Sequence, residues 1–181
     1  PTAGSTATRA QETCNGAGNA STFNDSEGVI YAEIAALAND GTTRRLSISD
    51  GSNKNRIVLM YDTVSNTIGV FVISNWSLST IMTYLITDTT QFSKIAFKYK
   101  QNDFSLWIDG VQRVINTSGA TPTGLKELAF DDGSGGANFY GRTKGVYVFN
   151  EALTDDELQQ LTGPEYNSFA ALAAAYNYTV I

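Results

Sequence analysis

The stretch Lys94–Asn116, KIAFKYKQNDFSLWIDGVQRVIN, decides the fold. In its first half Ile95, Phe97 and Tyr99 fall on one side of an extended chain, and Lys94, Lys98 and Lys100 fall on the other. Side chains alternate along a strand with period two, so the pattern describes a strand with one apolar and one polar face. The second half repeats it, with Phe104, Leu106 and Ile108 set against Ser105, Trp107 and Asp109. Asp109-Gly110 then separates two strand patterns. Both residues tolerate the left-handed backbone of a two-residue turn, so a tight hairpin is predicted there.

The same signal recurs along the chain. Strands are predicted over 29–37, 44–49, 56–62, 67–74, 77–86 and 93–100, with turns such as NDGTT and DGSNKN between them. KELAF (126–130) and VYVF (146–149) supply the last strands, while TPTG and DDGSGGAN read as long loops. Short strands at regular, turn-punctuated intervals indicate an all-β fold, an antiparallel sandwich or barrel. One sharply bounded helix follows. Thr154 is a good N-cap, Glu157 completes a capping box, and Leu153 and Leu158 flank the cap as a hydrophobic staple. Asp155 and Asp156 suit the positive end of the helix dipole. Gly163 suits the position after the helix, and Pro164 prevents its continuation. The helix is expected to plug one open end of the sandwich through Leu158 and Leu161. A second, Ala-rich turn at 167–176 would anchor through Phe169 and Leu172. The organisation is then one domain. Residues 1–28 are an extended polar lead-in packed on it, 29–163 the sandwich with its closing helix, and 164–181 a helical turn and tail.

Composition removes several functions. Of 181 residues, 12 are Lys or Arg and 18 are Asp or Glu, a net charge of −6. That balance disfavours nucleic acid, which is bound by clustered cations, and anionic membrane surfaces. No apolar run approaches the ~20 residues of a bilayer span, so no membrane insertion is expected. The single cysteine, Cys14, allows no internal disulfide. There is no histidine, which removes Ser-His-Asp and Cys-His nucleophiles and imidazole metal sites together. The chain starts at Pro1, not Met, and is expected to be a piece or processed product of a longer polypeptide.

WIDG after an aromatic-alternating strand, with GRTKGVYVFNEALTDDELQQL near the end, resembles the laminin-G-like and pentraxin-like branch of the concanavalin A-like sandwiches. The shared helix motif is carried by Leu153, Thr154, Glu157 and Leu158. The framing segments PTAGSTATRAQE and EYNSFAALAAAYNYTVI look like the ends of a sandwich domain of tailed-phage tail fibre and tail-associated proteins. The resemblance implies a two-sheet antiparallel β-sandwich, a jelly roll whose concave face or edge loops often bind glycans, in a virion or extracellular setting. It also implies repeated display, as a homo-oligomer through a parent fibre. In that family an Asp of the last strand helps to hold calcium, and Lys144 stands in its place here. Calcium needs oxygen ligands, so the spot is unsuited to it. Asp50, Asp131 and Asp132, in Asp-Gly loops, are the remaining candidates for calcium, with a plain turn as the alternative for each. Otherwise no cofactor is expected.

Sugar binding calls for a flat aromatic face for the C–H side of a pyranose and planar polar groups at its edge. Trp107 is the first candidate. Its neighbours Leu106 and Ile108 claim the core, so it should point outward, with Asp109 sharing its face. It either meets a ligand or packs under a loop or the C-terminal helices. Trp76, in ISNWSLS, sits in a polar turn context beside Asn75. Tyr140 and Arg142, in NFYGRT, pair an aromatic with a guanidinium that either grips a carboxylated or sulfated sugar or pairs with Asp131 or Asp132. Tyr61 and Tyr84 are assigned to the core. A retaining glycosidase needs two carboxylates ~5–5.5 Å apart, and the Glu-x-Asp-x-x-Glu string of sandwich glucanases does not occur. The leading reading is a non-catalytic module binding a host-surface polysaccharide. A structural cap or spacer of a virion fibre is the alternative, and a carbohydrate-active enzyme stands third.

Overall fold

The computed structural model describes residues 17–165. Its strands are β1 (Glu27–Ala36), β2 (Arg44–Ser49), β3 (Arg56–Tyr61), β4 (Thr67–Ser74), β5 (Ser77–Leu85), β6 (Ser93–Lys100), β7 (Asp103–Ile108), β8 (Val111–Asn116), β9 (Glu127–Ala129) and β10 (Gly141–Phe149). One helix, α1 (Asp155–Thr162), follows. The strands form two five-stranded antiparallel sheets, ordered β10-β1-β6-β7-β8 and β5-β4-β3-β2-β9. Of the sandwich and barrel that the alternation allows, the chain forms the sandwich, the two-sheet jelly roll that the resemblance implies.

The core lies where the period-two residues put it. Ile95, Phe97, Tyr99, Phe104, Leu106 and Ile108 are buried against Ile57, Leu59, Ile68, Val70 and Val72 of the facing sheet. Phe97 and Phe104 stack across β6 and β7 with ring centroids 6.2 Å apart. Each such side chain taken fully out of water contributes roughly 1.5–3 kcal/mol. The two tyrosine hydroxyls drawn inside are paired: that of Tyr61 donates to the Ile34 carbonyl at 3.0 Å and that of Tyr99 to the Asn24 carbonyl at 2.9 Å.

The helix does not plug the open end. It lies across the outer face of the first sheet, where Leu158 joins Val29, Tyr31, Ala96 and Trp107 in a second buried cluster, with Phe149, Leu153 and Leu161 at its border. Those outward positions are apolar, so that face has to be covered. The capping box fixes where the cover begins: the Thr154 hydroxyl accepts from the Glu157 amide at 3.3 Å, and the Glu157 carboxylate accepts from the Thr154 amide at 2.8 Å. The other end is pinned through Thr162, whose hydroxyl donates to the Leu158 carbonyl at 2.7 Å and accepts from the Gly110 amide at 3.1 Å. Gly163 caps the helix, its amide donating to the Gln160 carbonyl at 3.3 Å, but its backbone is extended (φ −70, ψ 174), not left-handed. Close approach explains the glycine at 110 instead: a Cβ there would sit 3.2 Å from the Gly163 Cα, on a backbone already at φ +79.

One expected boundary shifts: β10 begins at Gly141, ahead of the VYVF stretch, and pairs with β1 from Ala36 to Val29. Cys14, Phe169 and Leu172 lie outside the described residues, as do most of the lead-in and the tail. Among the described residues, no helix is long and apolar enough to cross a membrane.

Leu158→Ala is expected to cost about 2–5 kcal/mol in urea denaturation, since it opens a cavity between helix and sheet. Thr154→Ala, which removes only the cap, is expected to cost about 1 kcal/mol. Alkaline pH provides a second check. Burial pushes the Tyr31 phenol up to about 12, with Glu33 adding to it, and burial likewise raises Tyr61 and Tyr99. Unfolded tyrosines ionise near pH 10. Stability is therefore full below about pH 10 and falls as pH rises above it, with a shallower fall expected in Tyr61→Phe.

Candidate functional site

Asn75 and Trp76 are the two central residues of the β4–β5 hairpin, at φ 50 and φ 67. Both positions of this turn are left-handed, which Asn accepts and which Gly normally fills at the second. A bulky residue there is an outlier that costs on the order of 1–2 kcal/mol. The surroundings hold it. The Trp76 amide donates to the Lys54 carbonyl at 3.0 Å, and the Asn75 amide to Asn55 Oδ1 at 2.9 Å. Asn55 is buried and in turn donates to Asp50 Oδ2 at 3.0 Å. On the other flank the Ser74 hydroxyl donates to the Thr121 carbonyl at 3.0 Å. The backbone is thus clamped to two loops while the indole stands 68% exposed.

Beside this tip lies the outer face of the second sheet. Arg56 of β3 pairs in register with Ile73 of β4. Its guanidinium and that of Arg45 lie 5.3 and 5.4 Å from the centroid of the Phe71 ring. One carboxylate serves both: Asp132, from the loop after β9, stands 3.6 Å from Arg45 and 3.7 Å from Arg56. Burial alone would raise the Asp132 carboxyl, but bonds from Ser134 and Gly136 and the Arg56 charge outweigh it and hold it below the usual range. Val58, Met60 and Ile73 complete the face, and exposed Leu78 and Ile81 continue it along β5.

The other sequence candidates are dispersed. Trp107 does point away from the core, but α1 covers it to 6% exposure and its Nε1 donates to Ser105 Oγ at 3.1 Å. It packs under the C-terminal helix and has no open face for a sugar. Asp109 stands in the β7–β8 turn at the opposite end from Trp76, where its Oδ1 accepts the Lys94 amide at 2.8 Å. Arg142 lies near that same end. Its guanidinium sits 4.9 Å from the Phe92 ring centroid and donates to the Thr90 carbonyl, so it pairs with neither Asp131 nor Asp132. Tyr140 is 44% exposed just before β10. Tyr61 is core, whereas Tyr84 is only half-buried, under Arg113.

The acidic loops act as turns. Asp50 accepts from Ser52 Oγ at 2.6 Å and from Asn55. Buried Asp131 accepts the Gly133 amide at 2.7 Å. Asp132 braces Ser134 and Gly136 and faces two guanidiniums. At position 144 the lysine itself meets Glu33 at 2.6 Å. Carboxylates already committed to N–H, O–H and guanidinium partners do not fit calcium, and no group of three ligating side chains forms among the described residues. Sequence reasoning did not single out Arg45, Phe71 and Arg56, whose proximity arises only from sheet register.

No protein-family model matches the chain, and no curated protein sequence does. Solved structures do match in shape. The CBM40 module of the Ruminococcus gnavus IT-sialidase superposes with a TM-score of 0.65 at 16% identity, over 83% of this chain and 94% of that one. A SAP-like pentraxin from Limulus polyphemus gives 0.63 at 11% identity, over 83% and 75% of the two chains. The carbohydrate-binding module CBM66 from Bacillus subtilis gives 0.51 at 13% identity, over 78% and 84%. At these identities the likeness establishes the fold: a jelly-roll sandwich shared with carbohydrate-binding modules and a pentraxin.

Proposed function

We propose that this chain is a non-catalytic carbohydrate-binding module that presents Trp76 to a polysaccharide. The observation that carries the reading is the strained, doubly clamped backbone beneath an exposed indole. Strain of this kind persists only where surroundings over-determine it, and it concentrates at ligand sites. An aromatic platform with restrained backbone loses little entropy on binding. The Arg45–Phe71–Arg56 face beside it supplies planar donors to a carboxylated or sulfated sugar. The shape neighbours support the same reading, since the Ruminococcus gnavus module is also solved bound to α2,3-sialyllactose. The setting we infer is extracellular. Its finer form, the tail of a phage virion with several copies per fibre, rests on the resemblance of the terminal segments.

A glycan array spanning neutral and acidic bacterial and algal polysaccharides tests this directly. Trp76→Ala is expected to abolish array binding without unfolding the protein. Trp76→Gly is expected to lose binding equally while gaining about 1 kcal/mol in urea denaturation, because glycine relieves the left-handed backbone. A silent array from a well-folded protein would favour the structural cap or spacer of a fibre instead.

A further inference from the structure

Three irregularities interrupt the ladders, each inserting one extra residue. In β8 the pairs run Leu106 with Val114 and then Trp107 with Gln112, which leaves Arg113 unpaired. In β10 they run Glu33 with Gly145 and then Ile34 with Thr143, which leaves Lys144. In β5 the extra residue is Ser79, and its hydroxyl bonds the Ala120 carbonyl at 2.6 Å beside the Trp76 hairpin. A bulge re-aims a side chain away from the strict alternation, and bulges gather beside functional sites. The first two of these aim cations toward the end of the sandwich opposite Trp76.

A cleft of about 580 Å³ opens at that end, with Tyr84, Asp88, Gln91, Phe92, Asp109 and Arg113 on its walls. A second lobe of about 480 Å³ adjoins it, sharing Phe92 and Asp109 and bordered by Lys144 and Glu33. Each lobe has the size of an ordinary small-ligand pocket. The bulged Arg113 lies over Tyr84, its guanidinium carbon 4.9 Å from the ring centroid, and donates to the Tyr84 hydroxyl at 3.2 Å. Its Nε is unbonded and it makes no ion pair among the described residues. Asp109 Oδ1 is held by the Lys94 amide. Asp88 is fixed by the amide and hydroxyl of Thr90 at 2.8 and 2.7 Å.

We propose that this cleft is a second saccharide site, separate from Trp76, and that it takes neutral, hydroxyl-rich sugars. The aromatic walls of Tyr84 and Phe92 suit the C–H face of a pyranose. Arg113 and Gln91 donate to ring hydroxyls, while the carboxylates of Asp88 and Asp109 accept from them. In the first lobe the carboxylates of Asp88 and Asp109 face the one guanidinium of Arg113, and in the second Lys94 and Lys144 are already paired with Glu165 and Glu33. Neither lobe offers the spare positive charge an anionic sugar needs, so the class differs from that favoured beside Arg45 and Arg56. Contiguous lobes give room for more than one residue of a linear chain.

The test is amide and arginine side-chain NMR of the folded protein, titrated in turn with maltopentaose, cellopentaose, xylopentaose and α2,3-sialyllactose. The expected result is that a neutral probe shifts Gln91, Asp109, Gly110 and the Arg113 Nε–H while sialyllactose leaves them in place. Trp76→Ala is expected to leave those shifts intact, and Arg113→Ala to weaken them about tenfold or more. Should Arg113→Ala lose its folded spectrum, Gln91→Ala, exposed and away from the core, carries the same readout. Cleft resonances that stay still for every neutral probe, or whose shifts vanish with Trp76→Ala, overturn the second site. In that case movement of the Trp76 indole alone keeps the proposed function, and movement at neither place overturns both.

Discussion

The outer face of the first sheet is apolar, and much of the structure follows from the need to cover it. Val29, Tyr31, Ala96 and Trp107 face away from the sandwich core yet are almost fully buried. Left open, they would form an apolar patch of the kind that drives association. The chain covers them with eight residues of helix. So short a helix has little intrinsic stability and holds only through packing and its termini. Hence the capping box at Thr154 and Glu157, and hence the tie from Thr162 to Gly110. The same tie steadies the Asp109–Gly110 turn. Coverage of one face thereby sets the geometry of one end.

The second sheet is treated differently. Among the described residues its outer face carries no helix, only a loop that brings Asp132 over Arg45, Arg56 and Phe71. Two guanidiniums lie over one ring and share one carboxylate, and Arg56 donates besides to Asn53 and to the Asp132 carbonyl. On the first sheet the apolar face is sealed and Trp107 is spent on structure. On the second the aromatic at the margin, Trp76, remains outside. The asymmetry explains why two tryptophans with similar claims in the sequence end one exposed and one buried.

Much of this was legible in the residues, for identifiable reasons. Period-two alternation located the core of β6 and β7 because both strands bury one face fully. The Asp-Gly and capping signals are local chemistry, and they placed the β7–β8 turn and the start of α1. What was hidden depends on partners distant in sequence. β10 extends back from VYVF to Gly141 because β1 runs alongside it as far as Ala36. Trp107 is outward by alternation, and only the docking of α1 decides whether outward means exposed. Arg113 and Lys144 were invisible as wall residues, since a bulge adds one residue without changing composition or period. The meeting of Tyr84, Phe92 and Arg113 needs the ends of β5 and β8 side by side, which no local window contains.

A single indole is a weak handle, and that bears on how such a domain can work. Covering a tryptophan buries about 150–250 Å², worth roughly 4–6 kcal/mol gross at about 25 cal/mol per Å². Association costs about 4 kcal/mol or more before any side chain is ordered. The net is small, so useful adhesion has to come from neighbouring polar contacts and from multiplicity. Linking weak sites gains about 10²–10⁴ in avidity when the geometry lets them engage together. On the proposed reading, sites at opposite ends of one sandwich cannot lie flat on the same patch of a surface. They would engage two polysaccharide strands, or two stretches of one that wraps the domain. A two-ended module would then gather chains, whereas several copies presenting only the Trp76 end would grip a surface.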